Sequence, residues 1–141
     1  MAIRKADAVW EGDLRNGNGT MRLESGAYQG AYSFSSRFEE GTGTNPEELI
    51  GAAHAGCFSM ALSADLTKAG FLVKRIATQA AVTLGKVDGK SRITNIHLTV
   101  EAEVPDLRFK EFLEIAEGTK SNCPVSVALS AVEITLEAKL K

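Results

Sequence analysis

The sequence predicts an α+β fold in which antiparallel strands form two groups around a central buried helix. Three observations predict it. Apolar residues recur at every second position in several stretches of the first 34 residues and again from residue 76 onward, which is typical of strands. One long uncharged segment, Leu49–Ala64, separates these two groups. The length of 141 residues fits a single domain over residues 1–141.

Short strands are predicted near the N-terminus. Alternation over residues 6–11 and 20–24 indicates two of them, and residues 32–34 are a candidate third. The sequence Asn16-Gly17-Asn18-Gly19 predicts a tight hairpin turn, because Asn and Gly tolerate the positive φ angles of such turns.

A long helix is predicted next. Asn45 can cap it, Pro46 suits the first helical position, and Glu48 falls at the third. The helix is expected to run to Ala69 and to end at Gly70. Its middle is apolar all round, so we expect it to be buried on every side, with a subunit interface supplying part of its surroundings.

The C-terminal half predicts two strands, a helix, a short helical segment and a last strand. Apolar residues of one parity within residues 76–84 and 96–104 indicate two strands joined at Asp88-Gly89. The helix that follows is expected to be capped by Asp106. Alternation over residues 132–140 predicts the final strand.

Composition and charge exclude several classes of protein. The net charge is −2 and there is no Lys/Arg cluster, which argues against nucleic acid or an anionic membrane as the main partner. The uncharged segment is shorter than the roughly 20 residues of a membrane span. The N-terminus lacks the apolar stretch of a secretory signal, so a cytoplasmic location is expected. In a reducing compartment, two cysteines are more often catalytic, redox-sensing, metal-binding or buried than disulfide-bonded.

The two cysteines differ in their predicted surroundings. Cys57 lies within the long helix, where it could be a small core residue. Cys123 lies at a helix N-terminus, where unpaired N–H groups can stabilise a thiolate, although a simple capping role is the alternative. His54, three residues before Cys57, could activate a thiol or could be a buried histidine with a satisfied hydrogen bond. Two Cys and two His without ligand spacing do not fit a zinc site, and no metal or cofactor is expected.

Two charged residues near the helix start are further candidates. Glu47 has no capping role and is free for another partner. Arg37 lies between two aromatic residues on the approach to the helix. It is either a solvated loop charge or a donor to a thiolate or to a substrate oxygen.

Two motifs carry a resemblance to a known family. The segment from Gly43 to Ser63, which contains Asn45-Pro46-Glu47-Glu48 and His54-Ala55-Gly56-Cys57, closely resembles the signature of the OsmC/Ohr family. The segment Asn122-Cys123-Pro124-Val125-Ser126 is similar to the second cysteine block of that family. Residues 10–14 and 37–39 resemble the OsmC branch rather than the Ohr branch.

The resemblance implies a thiol-dependent peroxidase that reduces organic hydroperoxides. By position, Cys57 matches the peroxidatic cysteine, Cys123 the resolving cysteine, Arg37 the active-site arginine, and Glu47 the glutamate that pairs with it. The resemblance also implies an intertwined homodimer with its sites at the subunit interface. A dithiol, with dihydrolipoyl groups the favoured donor, is expected to reduce the disulfide again.

The implied site has a geometric consequence. Ten residues of unbroken helix would place Glu47 roughly 15 Å along the axis from Cys57, too far to share one arginine. We therefore expect either a break in the helix near Gly51–Gly56 or a pocket assembled from two subunits. Three aromatic residues expected near the site favour an apolar alkyl substrate: Tyr32, Phe38 and Phe58.

Two other functions are compatible with the residues. The first is a non-catalytic binding protein that holds a small hydrophobic ligand at the dimer interface, with the cysteines as core residues. The second is a thiol-based redox sensor, which lacks any visible output module such as a basic DNA-reading helix.

Overall fold

The computed structural model describes all 141 residues. The chain divides into two compact units, Met1–Leu49 and Ile50–Lys141. The single domain expected over residues 1–141 remains a prediction.

The first unit contains an antiparallel three-stranded sheet. Its strands are β1 (Ala6–Glu11), β2 (Asn18–Leu23) and β3 (Gln29–Tyr32), in the order β1-β2-β3. The third strand therefore begins and ends earlier than predicted. Five of the six residues of β1 are exposed and none is buried, so neither face of this strand is covered.

The connection between β1 and β2 differs from the predicted tight turn. Glu11 pairs with Asn18, so a loop of residues 12–17 joins the strands, and Asn18 belongs to β2. Asp13 closes this loop, because its backbone oxygen accepts from the Gly17 N–H at 2.9 Å and its carboxylate accepts from the Asn16 N–H at 2.7 Å. The sequence prediction was wrong about which residues make the turn.

A short helix that the sequence analysis did not predict follows β3. This helix, α1, spans Phe34–Phe38. Ser33 caps it reciprocally with Ser36: the Ser33 hydroxyl accepts from the Ser36 N–H, and the Ser36 hydroxyl accepts from the Ser33 N–H. This is a capping box in which Ser takes the place of the usual Glu.

The long helix, α2, spans Pro46–Lys68, and the predicted caps are present. The Asn45 side chain accepts from the Glu48 N–H at 2.8 Å. At the C-terminus, Gly70 has φ +97° and the Phe71 N–H donates to the Leu66 carbonyl, which is the Schellman arrangement.

Of the two arrangements expected for the site, a break near Gly51–Gly56 is excluded, because α2 is continuous. Within one chain, only one face of α2 is buried, and the expected cover from a second subunit remains a prediction. One stripe is fully buried, at His54, Phe58, Leu62 and Leu66. The other face exposes four small or flexible residues, which we call the open stripe: Ala53, Gly56, Met60 and Ala64.

By length and composition alone, α2 is long and apolar enough to cross a membrane, and 28% of its apolar window is buried within the chain. The prediction that no segment is long enough for a membrane span was based on the uncharged segment Leu49–Ala64. The helix has 23 residues and is longer than that segment. Core helices of soluble proteins share these properties, and α2 contributes several of the core residues of the second unit.

The second unit contains a mixed three-stranded sheet. Its strands are β4 (Arg75–Val87), β5 (Lys90–Glu103) and β6 (Glu133–Leu140), in the order β4-β5-β6. The predicted turn is present: Asp88 and Gly89 have φ angles of 52° and 75°, the pattern of a two-residue hairpin. In contrast to the prediction, β6 runs parallel to β5.

The parallel pairing follows from the helices between β5 and β6. These are α3 (Phe109–Asn122) and α4 (Pro124–Ala128). They return the chain to the N-terminal half of β5, where β6 begins. Arg108 takes the N-cap position of α3, so the prediction of Asp106 as the cap was wrong. Asp106 instead has a positive φ of 65°, which turns the chain before the helix begins.

The core of the second unit lies between its sheet and its helices. One face of β5 is buried, as its parity predicted, at Ile96, Leu98, Val100 and Ala102. Side chains of α2 and α3 belong to the same core, and Ser59 on α2 hydrogen-bonds Thr78 on β4 at 2.7 Å.

Replacing Leu98 with Ala tests this core. Leu98 is 0% exposed on the central strand, so its truncation should lower the free energy of unfolding by about 2–5 kcal/mol. Leu72→Ala is the matched control, because Leu72 is 70% exposed and should change stability far less. Urea unfolding of both variants measures the difference, and equal losses would contradict the assigned core.

Candidate functional site

The two cysteines come together in the second unit. Cys57 lies in the middle of α2 and is half-buried, whereas Cys123 is 1% exposed and is the N-cap of α4. Both are free thiols. They lie close enough for each to affect the pKa of the other.

The two thiols ionise differently. Burial raises the pKa of Cys57, and the neighbouring Cys123 raises it further. Burial also acts to raise the pKa of Cys123, but hydrogen bonds outweigh it, and the pKa of Cys123 is lowered. The Ser126 hydroxyl and the Ser126 N–H both donate to the Cys123 sulfur at 3.4 Å. Within this chain Cys123 is therefore the more acidic thiol, as its position at a helix start suggested.

His54 lies fully buried on α2 and reaches the same cluster. Its Nε2 is 2.7 Å from the Ser126 hydroxyl, while its Nδ1 is buried without a partner. Burial lowers the pKa of His54, which favours the neutral imidazole. The sequence allowed for a buried histidine with a satisfied hydrogen bond. The contact of Nε2 confirms this for one ring nitrogen, and the unpaired Nδ1 does not. Ser126 was not among the predicted site residues, although its position three residues after a helix-capping Cys was a usable signal.

The structure brings Arg37 and Glu47 together in the first unit. The Arg37 Nε and Nη2 both donate to Glu47 Oε1, at 2.9 and 2.8 Å. Glu47 is almost buried, and its Oε2 has no partner. The guanidinium keeps an exposed side, because 37% of the Arg37 side chain is accessible. A half-exposed guanidinium fixed by a buried carboxylate is suited to receive a second anionic or polar group.

The loop between α1 and α2 holds this ion pair in place. The Ser36 hydroxyl donates to the Thr44 carbonyl at 2.7 Å, and the Asn45 amide donates to the Ser36 carbonyl at 3.0 Å. Thr44 in turn donates to the Glu48 carboxylate at 2.9 Å. These bonds tie the helix that carries Arg37 to the helix start that carries Glu47.

A pocket of ≈ 220 Å³ opens beside Arg37 in the first unit. Most of its lining is aromatic or aliphatic, and Arg37 is its charged member. The lining residues are Trp10, Leu14, Tyr32, Ser33, Phe34, Arg37 and Phe38. Two of the three aromatic residues expected near the site line this pocket. The third, Phe58, does not, because it is 0% exposed in the core of the second unit.

The four expected site residues thus form two pairs. The Arg37–Glu47 pair belongs to the first unit, and the Cys57–Cys123 pair belongs to the second. Because α2 is unbroken, ten helical residues put Glu47 about 15 Å along the axis from Cys57. Of the two arrangements expected from the sequence, the broken helix is excluded.

Two neighbouring free thiols with opposite pKa shifts in an α+β fold are typical of a thiol-dependent redox protein. Comparison with known proteins gives the family. The profile of the family described as OsmC-like protein matches residues 39–137. Peroxiredoxin OsmC of Escherichia coli strain K12 is 52% identical over 139 residues, which cover 98% of this chain and 96% of that protein.

Solved structures agree in fold. An OsmC-like protein from Vibrio cholerae has a TM-score of 0.78 at 18% identity, with 98% of this chain and 99% of that chain covered. An organic hydroperoxide resistance protein OsmC from Legionella pneumophila has a TM-score of 0.74 at 22% identity, with 99% of each chain covered. The matching profile and the 52% identity show that the chain belongs to the OsmC-like family. Because the chain is 52% identical to a peroxiredoxin over 98% of its length, it is a peroxidase. The expected family and enzyme class are confirmed.

The burial of His54 predicts a pH-dependent stability. Its folded pKa lies below the unfolded value of about 6.5, so the unfolded state takes up the proton first as pH falls. The free energy of unfolding should therefore decrease as pH falls from about 7.5 to about 5.5. Urea unfolding at both pH values measures this decrease.

His54→Gln should lack this part of the decrease, since it removes the titrating group. His97→Gln is the matched control, because it removes the other histidine and leaves His54 in place. The same pH dependence in the wild type and in His54→Gln would contradict the assignment.

Proposed function

We propose that the chain reduces organic hydroperoxides to alcohols, with Cys57 as the peroxidatic and Cys123 as the resolving cysteine. The observation that carries this proposal is the adjacency of the two thiols in one buried cluster. The half-buried Cys57 is the thiol that a substrate can reach, whereas Cys123 is enclosed.

The proposed reaction proceeds in two steps on the enzyme. The Cys57 thiolate attacks one peroxide oxygen, the O–O bond breaks, and the alkoxide leaves and takes up a proton to become the alcohol. Cys57 is thereby oxidised to a sulfenic acid. The Cys123 thiolate then attacks this sulfur, the S–S bond forms, and hydroxide leaves and is protonated to water. The disulfide protects Cys57 from irreversible oxidation.

The disulfide must be opened again by an external dithiol, with dihydrolipoyl groups as the proposed donor. One thiolate of the donor forms a mixed disulfide, and its second thiol then releases the protein by closing the donor's own disulfide. Two electrons and two protons pass from donor to protein, which regenerates both cysteines. Free cysteines fit this cycle and a reducing compartment, and we propose a cytoplasmic location.

We also propose that the chain acts as a homodimer whose site contains residues of both subunits. The chain's own surroundings raise the pKa of Cys57, so attack on peroxide at neutral pH requires a nearby cation. Arg37 is anchored on Glu47, at the start of an unbroken helix. We therefore propose that Arg37 of the partner subunit stabilises the Cys57 thiolate.

The open stripe of α2 supports a homodimer. Its residues are apolar and exposed, and Met60 alone is 78% exposed. A Cβ added at Gly56 would meet no atom within 4 Å, so there is room for another backbone to approach this face closely. Contiguous exposed apolar surface of this kind marks an interaction site.

The pocket beside Arg37 supports an organic substrate. Aromatic and aliphatic walls can bury the alkyl or aryl part of a hydroperoxide, and the guanidinium can donate to its oxygens. Hydrogen peroxide has no apolar part to place against these walls. The preference for organic hydroperoxides follows from this difference.

Single-turnover reduction tests the proposed function. Reduced protein should consume cumene hydroperoxide faster than hydrogen peroxide, and non-reducing mass analysis should find a disulfide between Cys57 and Cys123. Cys57→Ser should abolish consumption, while Cys123→Ser should allow one turnover and stop at the sulfenic acid, detectable by dimedone. Consumption that persists in Cys57→Ser would contradict the role of Cys57 as the peroxidatic cysteine. No consumption by the wild type would contradict the proposed function and favour a binding protein.

Mixing two inactive variants tests the shared site. Arg37→Met should slow peroxide consumption roughly 100-fold or more, as is usual when one stabilising donor of a transition state is removed. In a heterodimer of Arg37→Met with Cys57→Ser, the intact Cys57 would face the intact Arg37 of the partner subunit. Activity should therefore return, with one working site in each heterodimer.

Each variant alone provides the matched control for this mixture. Heterodimers purified by two affinity tags are compared with both parent homodimers at equal chain concentration. If Arg37 acts on the Cys57 of its own chain, the heterodimer stays as inactive as its parents, and the shared site is contradicted.

A further inference from the structure

The two-cysteine reaction leaves one buried group unused. His54 is 0% exposed and lies on the same helix as Cys57, yet its contact is with Ser126, 72 residues further along the chain. Ser126 is 3% exposed and directs both its hydroxyl and its N–H to the sulfur of Cys123. His54, Ser126 and Cys123 therefore form a continuous hydrogen-bonded chain.

The direction of donation in this chain follows from the lone pairs available. The Ser126 hydroxyl donates its one proton to the Cys123 sulfur, so its oxygen must accept from His54. The neutral imidazole then carries its proton on Nε2. The opposite tautomer would bury an N–H on Nδ1 without an acceptor, which proteins avoid more strictly than an unpaired lone pair.

His54 is thus a donor rather than a base. Proton transfer from Cys123 to His54 through the hydroxyl would create an imidazolium in a fully buried position. Burial lowers the pKa of His54 and opposes that charge. The neutral imidazole fixes the orientation of the Ser126 hydroxyl, and the hydroxyl can then serve only the sulfur.

We propose that His54 and Ser126 are positioning residues that hold Cys123 as a hydrogen-bonded thiolate, an inference that rests on the proposed two-cysteine function. In the resolving step this thiolate attacks the Cys57 sulfenic acid, the S–S bond forms and the S–O bond breaks. Hydroxide departs and is protonated to water. The fraction of Cys123 present as thiolate sets the rate of this step.

The same hydrogen bonds act when the disulfide is reopened. The external thiolate attacks the half-buried Cys57, the S–S bond breaks, and Cys123 departs with the electron pair. A sulfur that leaves as a stabilised thiolate leaves faster. One pair of positioning residues thereby assists both the closing and the opening of the disulfide.

The test separates sulfenic acid formation from disulfide formation in single-turnover experiments. Ser126→Ala should slow disulfide formation roughly three- to tenfold relative to sulfenic acid formation, because a hydrogen bond to a charged group is lost. The higher nucleophilicity of a more basic thiolate offsets part of the effect. His54→Leu should act in the same direction. Ser126→Thr and His54→Gln retain an O–H or N–H donor and should keep the wild-type rate within about twofold.

Ser121→Ala is the matched control, because Ser121 is exposed on α3 and its hydroxyl donates to the Glu117 carbonyl rather than to a cysteine. It should behave as the wild type in both steps. Equal slowing in Ser126→Ala and Ser126→Thr would overturn the proposal, because the effect would then come from packing rather than from donation. Unchanged disulfide formation in Ser126→Ala would overturn it as well.

A spectroscopic titration tests the inference independently of peroxidase activity. In the Cys57→Ser background, the ultraviolet absorbance of the Cys123 thiolate should develop at higher pH when Ser126→Ala is added, and at unchanged pH when Ser126→Thr is added. Identical titrations would contradict the positioning role. Failure of the wild type to consume any peroxide would instead contradict the proposed function, while this titration would still report on the hydrogen bonds.

Discussion

The burial of one face of α2 is the constraint on which the rest of the structure depends. His54, Phe58 and Leu62 follow one another at four-residue spacing and pack into the core of the second unit. This packing fixes the rotation of the helix about its axis. Cys57 precedes Phe58, and so it lies at the border of the buried stripe, close enough to Cys123 to interact but still half-accessible. A rotation of the helix by one residue would bury the thiol or expose it fully.

The two thiols cannot both carry a charge at low energy, because adjacent thiolates repel each other. The donors within one chain favour the charge on Cys123, whose pKa is lowered, whereas the proposed attack on a peroxide requires the charge on Cys57. A cation beside Cys57 would reverse this preference only while it is present. In the proposed reaction, the lowered pKa of Cys123 favours the resolving thiolate in the step that follows oxidation.

Much of the fold could be predicted from local patterns. The parity of apolar residues identified β4 and β5, and Asp88-Gly89 and Asn45-Pro46 marked a turn and a helix start that the structure contains. The parallel direction of β6 could not be predicted, because strand direction depends on where α3 and α4 return the chain. The partnership of His54 with Ser126 was also hidden, since a hydrogen bond across 72 residues leaves no local periodicity.

The open stripe explains why an apolar helix can remain half-covered in one chain. Ala53, Gly56 and Ala64 carry little or no side chain, so a second helix could approach their backbone closely and gain dispersion contacts with it. In a twofold dimer the same stripe from each chain would meet itself, and both copies would be covered by a single association. Cys57 follows Gly56 directly, so whatever covers the stripe also comes close to the thiol. Dimerisation and completion of the thiol site would then be one event, and a monomer would retain Cys57 in the surroundings that raise its pKa.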